Sequence, residues 1–315
     1  MELSLQQRAL AYAGFHGDRE ALTSYKKTPE SGSTKTLNKL LKPEEFPAVL
    51  AQYKKDPTSF SAFCRFNIFN LQKDKQLSPE EKRERLERYI DNYFTLICKI
   101  DAEAYKHNTT NIYNYVPTYL PDGLSDMGSD HNTSDSQRTG REKISIEKRK
   151  ILEQARDLFI KIFEEGISKK KDIVIEVANW VHKNLPYDHK NRADQLGRGS
   201  IRIHKLHDAP EAIAVCRHHA IYTQVLNQTL GITSRLLKCN LDGQAHSCNL
   251  VRIDNVWYLL DVTNHIKITG KEYICLVPIE EKEIDLNTNE YHWEVASGKR
   301  TRTYDSRNNM YFRIK

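Results

Sequence analysis

Hydrophobic side chains recur at helical spacing in several segments of the chain, which predicts helices there. One helix is expected to begin at residues 78–81 (SPEE), because serine is a natural N-cap, proline suits the first helical position and the last glutamate completes a capping box. It should end near Tyr105. A second helix is expected over about residues 145–165, with Gly166 as its C-cap, and a third is expected to be capped by Asp172 and stopped by the next proline.

The pattern changes to strands after one further helix. Residues 210–231 (PEAIAVCRHHAIYTQVLNQTLG) contain a single apolar stripe that ends at a glycine, which predicts a helix with Cys216 at or near its N-terminus. The next segment, ITSRLLKCNL, is typical of a strand, and HSCNLVRIDNVWYLLDVT is typical of two strands joined by the two-residue turn Asp254-Asn255. Helices followed by an antiparallel sheet indicate the α+β fold class.

A polar segment divides the chain. Residues 107–140 are rich in Asn, Thr, Ser, Asp and Gly and have too little apolar surface to offset the entropy of ordering. We therefore expect an N-terminal helical region over 1–106, a flexible linker over 107–140 and a domain with the chemistry over 141–315. An insertion within one domain is the alternative interpretation of the polar segment.

Composition narrows the class of protein. The chain has 315 residues, and 48 Lys+Arg against 42 Asp+Glu give a net charge of +6, which is too small to indicate nucleic-acid binding. The basic end KRTRTYDSRNNMYFRIK is more typical of a solvated strand than of a site for phosphate or an acidic partner. No run approaches the roughly 20 apolar residues of a membrane span, and the first 20 residues lack a signal-peptide pattern. We expect a cytoplasmic protein, although signal-less export leaves no mark in a sequence.

Cys216 lies at the predicted start of a helix, a position that favours a reactive thiolate. The free N–H groups and the helix dipole at Cys216 favour a thiolate. A hairpin closed by the turn at 254–255 places His246 opposite Thr263, with Asp261 as its diagonal neighbour on the same face. This is the order required of a thiol nucleophile, its general base and the group that orients the base.

Three stretches resemble the transglutaminase-like superfamily, part of the papain-like group of cysteine enzymes: IVIEVANWVHKNLPYD, AVCRHHAIYTQVLNQTLGITSRLL and GQAHSCNLVRIDNVWYLLDVT. The resemblance covers roughly residues 145–280. It implies helices packed on a small antiparallel sheet, with Cys216 as nucleophile, His246 as base and Asp261 as the orienting carboxylate. The chain departs from the family at Val215, where glycine is frequent, and after the histidine, where Ser-Cys follows.

The resemblance implies amide chemistry through a Cys216 thioester on a protein or peptide substrate, without a cofactor or a metal. Hydrolysis by a protease or deamidase is the first expectation, and a transglutaminase that crosslinks glutamine to an amine is the alternative. The alternative of another class is an inactive scaffold or binding module that has kept the fold.

Neighbouring residues admit simpler interpretations. Cys216 alone would most often be a buried structural thiol. The six cysteines form no CxxC pair, and a zinc site is disfavoured because only His246 and Cys248 are closely spaced. His218 and His219 are expected to face solvent or to cap the helix, and Tyr187 is either a groove-side aromatic or plain packing.

Overall fold

The computed structural model describes residues 46–72, 77–104, 119–120, 143–187, 200–208, 214–241, 244–268, 271–279, 290–291 and 311–313. The chain divides into two compact units. The first takes its residues from 1–106, 155–169 and 229–231, and the second from 107–154, 170–228 and 232–315. The first 45 residues of the predicted N-terminal helical region and almost all of the predicted linker lie outside the described residues. The boundaries predicted at residues 106 and 140 stay a prediction.

Three helices open the described chain: α1 (Phe46–Lys55), α2 (Pro57–Gln72) and α3 (Pro79–Ala104). The predicted capping box is confirmed at the start of α3, where the Glu81 backbone N–H donates to Ser78 Oγ at 3.2 Å. The Ser78 backbone N–H donates in turn to Glu81 Oε2 at 2.9 Å. These two bonds satisfy amide groups that have no partner within the helix, which explains why α3 begins where its sequence indicates.

The single helix predicted over about 145–165 is wrong. Strand β1 (Lys143–Ser145) is followed by α4 (Lys148–Gln154) and α5 (Arg156–Glu164), with a break at Ala155 (φ −89°, ψ 15°). Helix α5 packs on α3 within the first unit, whereas α4 belongs to the second unit. Because apolar spacing continues through the break, the pattern alone does not reveal it. The C-cap of α5 is Glu165, and Gly166, which was predicted in that role, follows it with a left-handed φ of +66°.

Three more helices and a short strand follow: α6 (Lys170–Asn184), β2 (Ser200–Arg202), α7 (Lys205–Asp208) and α8 (Cys216–Thr229). Strands β1 and β2 form a two-stranded parallel sheet. Helix α6 begins at Lys170, so Asp172 lies in its first turn and is not the predicted cap. The predicted start of α8 at Cys216 is confirmed, and all its residues after Cys216 are buried.

The end of α8 depends on a glycine. Gly231 has a φ of +71°, which lets the Ile232 N–H return to the Asn227 carbonyl at 2.8 Å. A Cβ at this position would lie 2.3 Å from the backbone N and Cα of Ala62. The close approach of the Ala62 backbone and the left-handed conformation of residue 231 therefore both require glycine here.

The main sheet contains β3 (Ser234–Leu241), β4 (Gln244–Ile253), β5 (Val256–Ile268), β6 (Lys271–Ile279), β7 (Glu290–Tyr291) and β8 (Tyr311–Arg313). Its order is β7-β3-β4-β5-β6-β8, in which β3 to β6 form an antiparallel meander. Asp254 and Asn255 have φ values of 48° and 67°, as a two-residue hairpin turn of type I′ requires. The predicted register of Ile253 opposite Val256 is confirmed, and so is the α+β fold class.

No helix within the described ranges is both long enough and apolar enough to span a bilayer.

Candidate active site

Cys216 is the first residue of α8, and its surroundings hold that end of the helix in place. The Val215 N–H donates to His218 Nδ1 at 3.1 Å, so a side chain from the first turn caps the helix. Just upstream, the Ala214 N–H donates to the Pro186 carbonyl at 2.9 Å. Cys216 is half-buried, whereas Cys64, Cys98, Cys248 and Cys275 are buried. Among the thiols that the structure describes, Cys216 is therefore the one best placed to meet a substrate.

His246 on β4 and Asp261 on β5 lie side by side across the hairpin. His246 Nε2 is 2.8 Å from Asp261 Oδ2, and their side chains are only 9% and 1% exposed. The distance is that of a charge-assisted hydrogen bond. The predicted placement of an imidazole and a carboxylate on one face of the hairpin is what the structure shows for these two residues.

The third predicted residue joins this pair. The Cys216 side chain lies within interaction range of His246, since its hydrogen bonding and its charge both raise the pKa of that imidazole. Because Nε2 is engaged by Asp261, Nδ1 is the ring nitrogen left to face the sulfur. Helix α8 lies close to β4, since the Asn249 side-chain amide donates to the Ala220 carbonyl at 2.9 Å. The fold therefore brings together three residues separated by up to 45 positions in the sequence.

Burial and neighbouring charge shift the pKa of the His246 imidazole in opposite directions. Burial alone would lower the pKa of His246, but the Asp261 carboxylate and the Cys216 sulfur outweigh it and raise that pKa to about 11. Burial likewise tends to raise the pKa of Asp261, but the charge of His246 and hydrogen bonds from His246 and Asn264 lower it. The site therefore favours an imidazolium held by a carboxylate.

A bulge in β5 completes the surroundings of the carboxylate. Asp261 pairs with Cys275 of β6 and His265 pairs with Ile274, so residues 262–264 are extra in β5. The backbone N–H groups of residues 263 and 264 turn back to Asp261 Oδ1, at 3.0 and 3.1 Å. The Asn264 side-chain amide donates to Asp261 Oδ2 at 2.7 Å. Asp261 is thus oriented before any substrate arrives.

Residues 157–289, somewhat less than half of the chain, match the model of a family described as a transglutaminase-like domain. This part of the chain is a transglutaminase-like domain. The matched segment contains Cys216, His246 and Asp261. No curated protein and no solved structure matches the chain.

Asn264 is the site residue of the transglutaminase-like domain that the sequence interpretation missed. The segment DVTN contained a signal for it, because Asp side chains commonly bond backbone N–H groups two residues further along. That signal indicates a local turn and competes with the strand pattern of the same residues. The bulge reconciles the turn with the strand, because residues 262–264 leave the pairing with β6 and two of their backbone N–H groups turn back to Asp261.

The two histidines after the nucleophile differ from each other. His218 caps the helix, as one of the two predicted alternatives had it. His219 is 1% exposed and does not face solvent. Its ring lies 5.7 Å from the ring of Tyr187, a side chain that is 37% exposed. Tyr187 therefore packs against the domain while keeping one edge at the surface.

Metal ligands form no cluster in the described part of the domain. No group of three or more His, Cys, Asp or Glu side chains described by the structure is arranged to hold a metal ion. The Cys239 side chain lies outside the described set.

Proposed function

We propose that the transglutaminase-like domain catalyses cysteine-dependent acyl transfer at amide bonds of a protein or peptide substrate, with water as the first-choice acceptor. The observation that supports this most directly is the position of His246, which lies 2.8 Å from Asp261 and whose pKa is raised by both Asp261 and the Cys216 sulfur. A thiol reacts as its thiolate, and a protonated imidazole beside the sulfur stabilises that form.

The proposed reaction has two halves. In the first, the Cys216 thiolate attacks the amide carbonyl carbon, and the proton held by His246 passes to the leaving amine as the C–N bond breaks. This leaves a thioester and a neutral imidazole. In the second half, His246 removes a proton from water, the resulting hydroxide attacks the thioester, and the C–S bond breaks to release a carboxylic acid. Asp261 stays ionised and holds the imidazole in one orientation throughout.

The start of α8 supplies one group for the negative charge on the carbonyl oxygen. The first N–H groups of a helix have no acceptor within that helix, and Cys216 is its first residue. Its backbone N–H is therefore a natural oxyanion donor, in a position where the helix dipole also favours negative charge.

Selective alkylation tests the nucleophile. Iodoacetamide at neutral pH should modify Cys216 first, and intact-mass analysis followed by peptide mapping gives the site and the rate. The Cys98→Ser variant is the matched control, because it removes a thiol that is only 8% exposed and should not change the rate. Labelling of Cys216 no faster than that of the other cysteines would favour the inactive scaffold and contradict the proposal.

The acceptor is identified by mass. Candidate substrate proteins incubated with wild-type chain and with Cys216→Ala are compared by intact-mass analysis, since deamidation, cleavage and crosslinking to an amine change the mass differently. Hydrolysis is expected. A crosslinked product that depends on Cys216 would assign a transglutaminase instead, because the same three residues serve either acceptor.

A further inference from the structure

His219 lies one helical turn beyond Cys216 and connects α8 to two other segments. Its Nε2 is 2.9 Å from the Leu185 carbonyl oxygen, just beyond the end of α6. Its Nδ1 is 3.3 Å from Thr263 Oγ1, within the bulge of β5. Both ring nitrogens of a buried side chain are thus engaged.

The partners determine where the ring proton lies. A carbonyl oxygen only accepts hydrogen bonds, so Nε2 must carry the proton that points to Leu185. Burial lowers the pKa of His219 to about 4, so the ring is neutral and Nδ1 is an acceptor. The Thr263 hydroxyl must then donate to Nδ1.

Thr263 also touches the candidate triad. Its backbone N–H donates to Asp261 Oδ1 at 3.0 Å, while its hydroxyl is held by His219. Residues 262–264 have no partner in β6, so the neighbouring strand does not hold the bulge in register there. The bond to His219 is therefore an anchor from the helix that bears Cys216 to the segment that orients Asp261.

We infer that His219 is a positioning residue that acts through Thr263 to hold Asp261, and thereby His246, in line with Cys216. This inference rests on the proposed function. It assigns His219 no contact with substrate and no proton transfer.

Paired substitutions at Thr263 test whether His219 acts on Asp261 through the Thr263 hydroxyl. Thr263→Val keeps the shape of the side chain and removes the hydroxyl, so the iodoacetamide rate at Cys216 should fall about three- to tenfold, as for one lost hydrogen bond. Thr263→Ser restores the hydroxyl and should recover most of the rate. Thr95→Val is the matched control, because it removes a hydroxyl that bonds the Asp91 carbonyl on the exposed side of α3.

Two substitutions of the histidine separate positioning from packing. An asparagine at 219 keeps an acceptor near the place of Nδ1 but leaves a void, whereas a glutamine fills more volume and keeps a donor near the place of Nε2. Positioning through Thr263 predicts that His219→Asn reacts faster than His219→Gln. A purely structural role predicts the reverse order, which would overturn the inference.

A double mutant completes this set. Because both changes break the same hydrogen bond, the double variant of His219→Gln and Thr263→Val should be no slower than the slower single variant. Multiplicative losses, or a wild-type rate in Thr263→Val, would overturn the inference.

The NMR titration of the His246 ring tests the inference independently of the proposed function, because it does not require Cys216 to react. In protein labelled with ¹⁵N-histidine, Thr263→Val should move the titration midpoint of His246 down by about half to one pH unit, the counterpart of a three- to tenfold change. If wild-type Cys216 proves unreactive, the proposed function fails and the His246 midpoint alone decides the inference. An unchanged midpoint in Thr263→Val would overturn it.

Discussion

Replacement of Asp261 by asparagine changes the proton on the neighbouring ring without changing the size of the side chain. The carboxylate accepts four hydrogen bonds, from His246, from the Asn264 side chain and from the backbone N–H groups of residues 263 and 264. The amide oxygen of asparagine can keep the two backbone bonds. Its NH₂ group then faces Nε2 of His246 and forces that nitrogen to accept, which moves the ring proton to Nδ1. In that tautomer His246 cannot take a proton from Cys216.

The size of the effect follows from the bond that is lost. A hydrogen bond to a charged group contributes about 1.5–3 kcal/mol, and a tenfold change in an equilibrium corresponds to about 1.4 kcal/mol. The equilibrium constant for forming the thiolate–imidazolium pair of Cys216 and His246 should therefore fall about ten- to hundredfold in Asp261→Asn. The alkylation rate of Cys216 at neutral pH should fall by up to that factor and leave a measurable remainder.

The assay is the second-order rate of Cys216 with iodoacetamide, with circular dichroism to verify the fold. Asp254→Asn is the matched control, because it makes the same chemical change at the exposed tip of the same hairpin. The left-handed backbone there suits asparagine as well as aspartate, so the rate should stay at the wild-type value. A wild-type rate in Asp261→Asn, or an equal loss in Asp254→Asn, would refute the reasoning.

Two further predictions concern stability. Because the pKa of His246 is raised to about 11, its contribution is complete below the unfolded-state pKa of about 6.5 and is lost as the pH rises through the folded-state pKa. The difference in thermal midpoint between wild type and His246→Gln should therefore be largest near pH 6 and shrink toward pH 11; a difference that grows would contradict the charged pair. Gly231→Ala should lower the free energy of unfolding by more than about 3 kcal/mol, because left-handed strain is joined by overlap with backbone atoms. Gly166 has a similar φ but open space around it, so Gly166→Ala should lower the free energy of unfolding by only about 1 kcal/mol, measured by denaturant unfolding. Equal losses in the Gly231→Ala and Gly166→Ala variants would contradict the predicted overlap with the Ala62 backbone.

The local features of the site were predictable from short stretches of sequence. The apolar stripe and its terminal glycine predicted α8 with Cys216 at its start, as found. The dipeptide Asp254-Asn255 predicted a two-residue turn, and a turn of that length sets the register of the hairpin. Because side chains alternate strictly along a strand, the register was enough to place His246 and Asp261 on one face.

Tertiary structure decided the features that depend on segments far apart in the chain. The break at Ala155 separates two helices whose apolar patterns are continuous, because α5 packs on α3 while α4 belongs to the other unit. The bulge at 262–264 arises between β5 and β6, and the anchor from His219 to Thr263 joins residues 44 positions apart. Periodicity and turn chemistry report only on neighbours along the chain. A hydrogen bond between distant segments exists only once packing has brought them together, and its geometry belongs to the fold.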